Sequence, residues 1–227
     1  MINSQTHTAV ADPAPSQAKR KIVRSSKGHF VGQLVYQLMG LPQVLAFESL
    51  LEYHAALCFI YMFNVVEVEE QIAAIAFLKP NGSPGLHYFD FRVTFRGGRR
   101  IAIAVKPEHI AQRYNFVATM RAVASATTLQ VADGVFIVTE RNIDPVLLHN
   151  AKLYHAARHS DAKMDTRIQD GLKDVLEPIQ ISDFLKNIGC FGAGYFSVAR
   201  SIRFGQALHV DGGRIEPSSL IMTGRAQ

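Results

Sequence analysis

The sequence predicts an α/β protein with a mixed sheet flanked by helices, followed by a smaller α+β region. Three observations support this class. Phe89, Phe91, Val93 and Phe95 alternate with Asp90, Arg92 and Thr94, and Ile101, Ile103 and Val105 alternate with Ala102, Ala104 and Lys106. Two neighbouring strands therefore each show one apolar face. Residues 135–139 form the continuous apolar run of a buried strand, and from residue 144 onward the pattern changes to helices closed by a short hairpin.

Taken in order, residues 1–23 read as a flexible basic leader, because Thr6, Thr8, Pro13, Pro15, Ser16 and Gln17 build no apolar core like that of a signal peptide. The basic run from Lys19 to Lys27 is a solvated arm, with a phosphate-contacting arm as the sharper alternative. Residues 24–143 form the first domain. Within it, residues 47–63 follow a helical pattern, with Leu50, Leu51, Ala55, Leu57, Cys58 and Tyr61 on a broad apolar surface. A strand is expected at 72–77, turn chemistry at 79–85, and the paired strands around the Gly97 and Gly98 turn. A helix over 108–127 begins just after Pro107, and the buried strand at 135–139 ends at Glu140. The order helix, strand, strand, strand, helix, strand describes a mixed α/β core.

Residues 144–179 read as a helical connector, with helices near 144–158 and 168–176 closed by Pro178. Residues 180–221 begin with a short helix capped by Ser182 and ended by Gly189. Gly192, Ala193 and Gly194 read as a turn, since no strand precedes them as in a dinucleotide loop. A helix over 195–203 follows, then a hairpin of 207–210 and 214–215 around Asp211, Gly212 and Gly213, and a tail at 222–227. Helix, helix and hairpin resemble a winged helix-turn-helix, a fold that serves DNA binding and protein docking alike.

Hydrophobic residues make up 48% of the 227, ample for a core, and 24 Lys and Arg against 19 Asp and Glu leave a net charge of +5. Seven of the basic residues fall between Arg92 and Arg121 with one acid, Glu108, a balance that favours a polyanion. Cys58 and Cys190 sit in apolar settings, which suggests reduced thiols and a cytoplasmic location, and they supply neither a disulfide framework nor a cysteine zinc site. The longest apolar stretch, 55–66, falls short of the roughly 20 residues a membrane helix requires.

The alternation also carries chemistry. Asp90 and Lys106 share the face opposite the apolar side chains, so the hairpin presents an acid and an ammonium together, as a phosphodiester-cleaving site needs. Arg96, Arg99 and Arg100 flank the hairpin turn and Arg113 lies on the next helix, where they are expected to grip phosphates. His155 and His159 have metal-binding spacing but no glutamate in the required position, so they read as a basic helical face.

The ordered set Ser49 to Glu52, Glu70 and Gln71, Asp90 and Phe91, Val105 to Pro107, Val138 to Glu140 and Asn150 to Leu153 resembles the TnsA-type transposon endonucleases, members of the PD-(D/E)xK restriction-endonuclease-like group. The resemblance spans roughly residues 24–221. It implies a restriction-endonuclease-like fold in which Glu52 is the helical acid, Asp90 the central metal-binding acid and Lys106 the lysine at the attacking water and phosphate. It implies Mg2+, with Mn2+ as substitute. The implied partners are double-stranded DNA at a transposon end, a DDE-type transposase and an ATPase regulator, with the protein on the nucleoid when bound.

One position departs from that pattern. Ala104 stands where the family has Glu or Gln, two residues before the lysine, and a methyl group cannot ligate a cation. Glu108 is the candidate substitute from the following helix, and the Val105 carbonyl a further ligand. The expectation is a metal-dependent DNA endonuclease weakened at position 104. The alternative is a nuclease-fold protein that binds DNA or assembles a complex without cutting.

Overall fold

A computed structural model describes residues 12–20, 30–113 and 116–224, apart from the Arg113 side chain. The chain divides into two units, 1–140 and 141–227.

The first unit opens with a hairpin that the sequence reading missed, β1 (Gly32–Tyr36) antiparallel to β2 (Gln43–Phe47). Helix α1 (Leu50–Tyr61) starts later than expected because Phe47 still belongs to β2 and Ser49 is the N-cap. The strands β3 (Val65–Glu70), β4 (Ile75–Leu78), β5 (Pro84–His87), β6 (Phe91–Phe95) and β7 (Arg100–Val105) follow. The expected single helix over 108–127 is two helices, α2 (Glu108–Arg113) and α3 (Phe116–Ala126), after which β8 (Gly134–Val138) completes the unit.

The central sheet runs β3-β6-β7-β8, with the first two pairings antiparallel and β7 parallel to β8, so it is mixed as expected. Phe91 pairs with Ile103, and its ring meets Phe59 of α1 edge-on at 6.0 Å. Ala102 and Ala104 point to the opposite face, into a cluster with Met120 and Val123 of α3 and with Ile75, Phe77 and Phe89. Helices thus cover both faces. Phe89 and Phe91 bury in different places, so the regular alternation breaks at Asp90 and β6 starts one residue later.

Residues 12–20 are not a free leader. Ala14 bridges in parallel to Gln43, its amide donating to Pro42 O at 2.8 Å and its carbonyl accepting from Val44 N at 2.9 Å. Residues 21–23, the end of the expected leader, lie outside the described residues, as does most of the basic run.

The second unit contains α4 (Pro145–Ala156), α5 (Ala162–Leu172), β9 (Ile179–Gln180), α6 (Ile181–Asn187), α7 (Tyr195–Arg203), β10 (Ala207–His209) and β11 (Leu220–Thr223). The two helices expected as a connector belong to this unit. Ile168 and Leu172 of α5 share its core with Ile181, Phe184, Leu185, Val198 and Ile221, and Leu153 of α4 packs against them. The expected hairpin between 207–210 and 214–215 does not form. β10 pairs with β11 instead, β11 pairs with β9, and Ile215 is a core residue outside any strand. Gln180, not Ser182, holds the N-cap position of α6, and it makes no side-chain cap bond. Gly189 with φ 66 ends that helix, and residues 191–194 form a 3-10 turn. Among the described residues, no helix is long and apolar enough to cross a membrane.

Candidate functional site

Glu52 enters through the capping of α1. Ser49 takes extended backbone, its hydroxyl accepts from Glu52 N at 3.1 Å, and it donates back to Glu52 Oε1 at 3.0 Å. Glu52 Oε2 accepts from Glu48 N at 2.9 Å. This is a reciprocal cap of the Ser-x-x-Glu kind, shifted by one amide. It points the carboxylate inward, where the residue is 6% exposed.

Asp90 lies immediately before the start of β6. Its amide donates to Ile103 O at 2.9 Å and its carbonyl accepts from Gln71 N at 2.9 Å. The next inward amide of β7, Val105 N, donates to Asp90 Oδ2 at 2.7 Å. A side-chain oxygen thus takes the place of a ladder carbonyl and turns the carboxylate into the end of the sheet.

Gln71 sits in the left-handed region at φ 45 and is 1% exposed. A non-glycine residue persists there only when its surroundings over-determine it. Here the amide holds Asp90, the carbonyl accepts from Lys19 N at 2.9 Å, and Oε1 accepts from Arg20 Nε at 3.0 Å.

The charges of this group act on one another. Burial raises the Asp90 pKa, while Lys106, the Val105 amide and Arg20 pull it down and Glu48 pushes it up. Burial and then Asp90 raise that of Glu52, against the cap hydrogen bonds and Lys106. Burial, with help from Lys106, pushes His87 down to about 4, so its imidazole is neutral at physiological pH. His87 Nε2 is buried without a hydrogen-bond partner among the described residues. The structure therefore brings Glu52, Asp90 and Lys106 into mutual electrostatic reach, with Lys106 anchored through its own amide to Val138 O at 3.0 Å.

Other expected site residues are placed differently. Glu108 starts α2 with its amide on Glu140 Oε2 at 3.0 Å and its carboxylate accepting from Gln112 Nε2 at 2.8 Å. Val105 is buried and contributes the amide that holds Asp90. Arg96, Arg99 and Arg100 occupy the turn end of the β6–β7 hairpin, a strand length of about 17 Å from the Asp90 end. Arg96 stacks over Phe63 at 5.4 Å, and Arg100 donates to Gln130 O at 3.0 Å and Leu129 O at 2.6 Å. Arg99 is exposed, and the Arg113 side chain lies outside the described residues. Arg92 is bound to Glu69 at 2.5 and 2.7 Å and to Val131 O.

Sequence reasoning missed Arg20, Glu48 and His87, and it singled out Glu70 and Gln71 for a structural or DNA-contacting role and not a catalytic one. Arg20 clasps Glu48 through both terminal nitrogens, and Glu70, 1% exposed, accepts from Ser16 Oγ and from Gln17 N at 3.1 Å. No periodicity marks these contacts. The available signal was the adjacent polar pair Glu70 and Gln71 at the end of the valine- and glutamate-bearing strand β3.

Carboxylates are hard oxygen donors that suit Mg2+, an ion that keeps several of its own waters. Glu52 and Asp90 fit it on that ground, although among the described residues no group of three His, Cys, Asp or Glu is placed to hold a metal ion. In comparisons with known proteins, no family model and no curated protein matches this chain.

Proposed function

We propose that this chain is a Mg2+-dependent DNA endonuclease of the TnsA type, with a restriction-endonuclease-like first unit and a winged-helix-like second unit. It cuts one strand at a transposon end beside a DDE-type transposase and an ATPase regulator, on the nucleoid. The observation that carries this reading is the coupling of two buried carboxylates with one ammonium at the end of a mixed sheet.

Asp90 and Glu52 are the residues that would hold the cation, with the Val105 carbonyl beside them. When bound, Mg2+ supplies positive charge to the non-bridging phosphate oxygens and acidifies water. The chain's own groups do the rest. Lys106 opposes the charge that builds on the phosphate as the nucleophile attacks. The Val105 amide and Gln71 fix the Asp90 carboxylate before substrate arrives, which removes reorganisation from the reaction.

Incubation of the purified protein with supercoiled plasmid carrying a transposon end, in Mg2+ or Mn2+, tests the reading. Wild type is expected to yield nicked circles, and Lys106→Met to lose at least about a hundredfold in rate, as removal of one charge-stabilising group does, while retaining DNA binding. Intact plasmid from a wild-type sample that binds DNA normally rejects the reading.

That outcome would favour the second reading, a nuclease-fold DNA-binding or assembly protein. Its support is specific. Ala104 is fully buried in the apolar cluster beneath α3, and both Glu52 oxygens already serve the cap. The exposed Phe191, Phe196 and Phe204 of the second unit suit docking to protein.

A further inference from the structure

We propose that residues 12–20 form a strap whose Arg20 is an internal counter-ion of the Asp90 carboxylate and of Glu48 next to Glu52, and must withdraw before a divalent cation binds. The inference rests on the metal-site reading above and concerns the regulation of that site.

The strap is stitched on in sequence. Ala14 joins β2, Ser16 and Gln17 converge on the buried Glu70, and Lys19 N reaches Gln71 O at 2.9 Å. Arg20 is the last contact. Its guanidinium binds both Glu48 oxygens and Gln71 Oε1. Each of these partners touches a candidate metal ligand directly. The Glu48 amide donates to Glu52 Oε2 at 2.9 Å, and the Gln71 amide donates to Asp90 O at 2.9 Å. The guanidinium is therefore linked to Glu52 through the Glu48 backbone and to Asp90 through the Gln71 backbone, and its charge acts on the Asp90 carboxylate that would attract a divalent ion.

The two ends of the strap differ in how readily they open. Arg20 and Glu48 keep side-chain exposures of 34% and 22%, so water and salt screen that pair. Glu70 is 1% exposed and holds Ser16 where such screening is absent. The Arg20 end is the one that releases, with the Ser16 end as its anchor. Withdrawal of Arg20 removes a positive charge from beside Glu48 and Asp90 and deepens the negative field at the site.

The test is Mn2+ binding to the full chain, read from the electron paramagnetic resonance signal of free Mn2+. Arg20→Ala and Arg20→Gln are expected to bind Mn2+ about tenfold more tightly than wild type, through loss of a competing charge at close range. Lys19→Ala removes an exposed charge that holds neither Glu48 nor Gln71, and it is expected to change affinity by less than about twofold. In wild type, saturation with Mn2+ should speed hydrogen exchange at the Lys19 amide, a readout that needs no variant. Equal affinities of wild type and both Arg20 variants, or a Lys19 amide unaffected by bound Mn2+, overturn the strap and leave the metal site standing. Absence of Mn2+ binding to every protein overturns the metal-site reading, and the strap with it.

Discussion

Asp90 is held by three backbone groups in a place where its charged form is poorly solvated. A carboxyl whose pKa is higher in the folded chain keeps a proton that the unfolded chain has already released. Stability must then fall as pH rises through and above the ordinary carboxylate range. Asp90→Asn keeps an oxygen for the Val105 amide and removes the charge. It should stabilise the protein at pH 7 by about 1 kcal/mol, the usual scale of relieving a functional strain, and urea denaturation should show that gain vanishing as pH drops to 3.8, the ordinary value for an aspartate. A gain that persists at low pH would mean that charge is not its cause. The same variant is expected to lose nicking.

Among the elements, β7 decides what the departure at position 104 means. Its Ala102 and Ala104 face α3 through a dry cluster that also holds Phe77, Phe89 and Val123. Ala104→Glu, the substitution that would restore the family pattern, is therefore expected to destabilise the protein by about 4 kcal/mol, as burial of an unpaired carboxylate does. A urea midpoint close to wild type together with faster cutting would show the glutamate reaching a cation instead. The strands β6, β7 and β8 were legible in the sequence because each has an unbroken two-residue or fully apolar pattern. β1 and β2 were not, since Gln33, Gln37 and Gln43 interrupt their apolar runs, and β10 was paired to the wrong partner because Asp211 to Gly213 looks like a hairpin turn. Alternation singled out Asp90 and Lys106, although the regular pattern itself breaks at Asp90, where Phe89 and Phe91 bury in different places. Arg20, Glu48 and Gln71 meet across gaps of 28 and 51 residues, and no local pattern encodes such contacts.

On the scale of the whole molecule, part of the basic complement of 24 Lys and Arg is already engaged with acids, although such pairing leaves the net charge of +5 unchanged. Arg20, Arg92 and Arg200 are bound to Glu48, Glu69 and Asp165. Arg200 is the hub of the second unit. From α7 it reaches Asp165 of α5 at 2.5 Å, Ser197 Oγ at 2.7 Å, and the carbonyls of Ala157 and His159 beyond α4 at 2.8 and 2.9 Å. Arg200→Ala strands Asp165 and should cost about 3 kcal/mol. Because each unit has its own core, the loss should appear in one of two unfolding transitions of the full chain. A shift of both transitions by the same amount would contradict separate cores. Glu52, finally, closes the start of α1 whether or not any phosphodiester is ever cut. Drift at the surface around it would still retain that glutamate for the sake of the helix, so its survival among descendants testifies to folding and is no sign of chemistry.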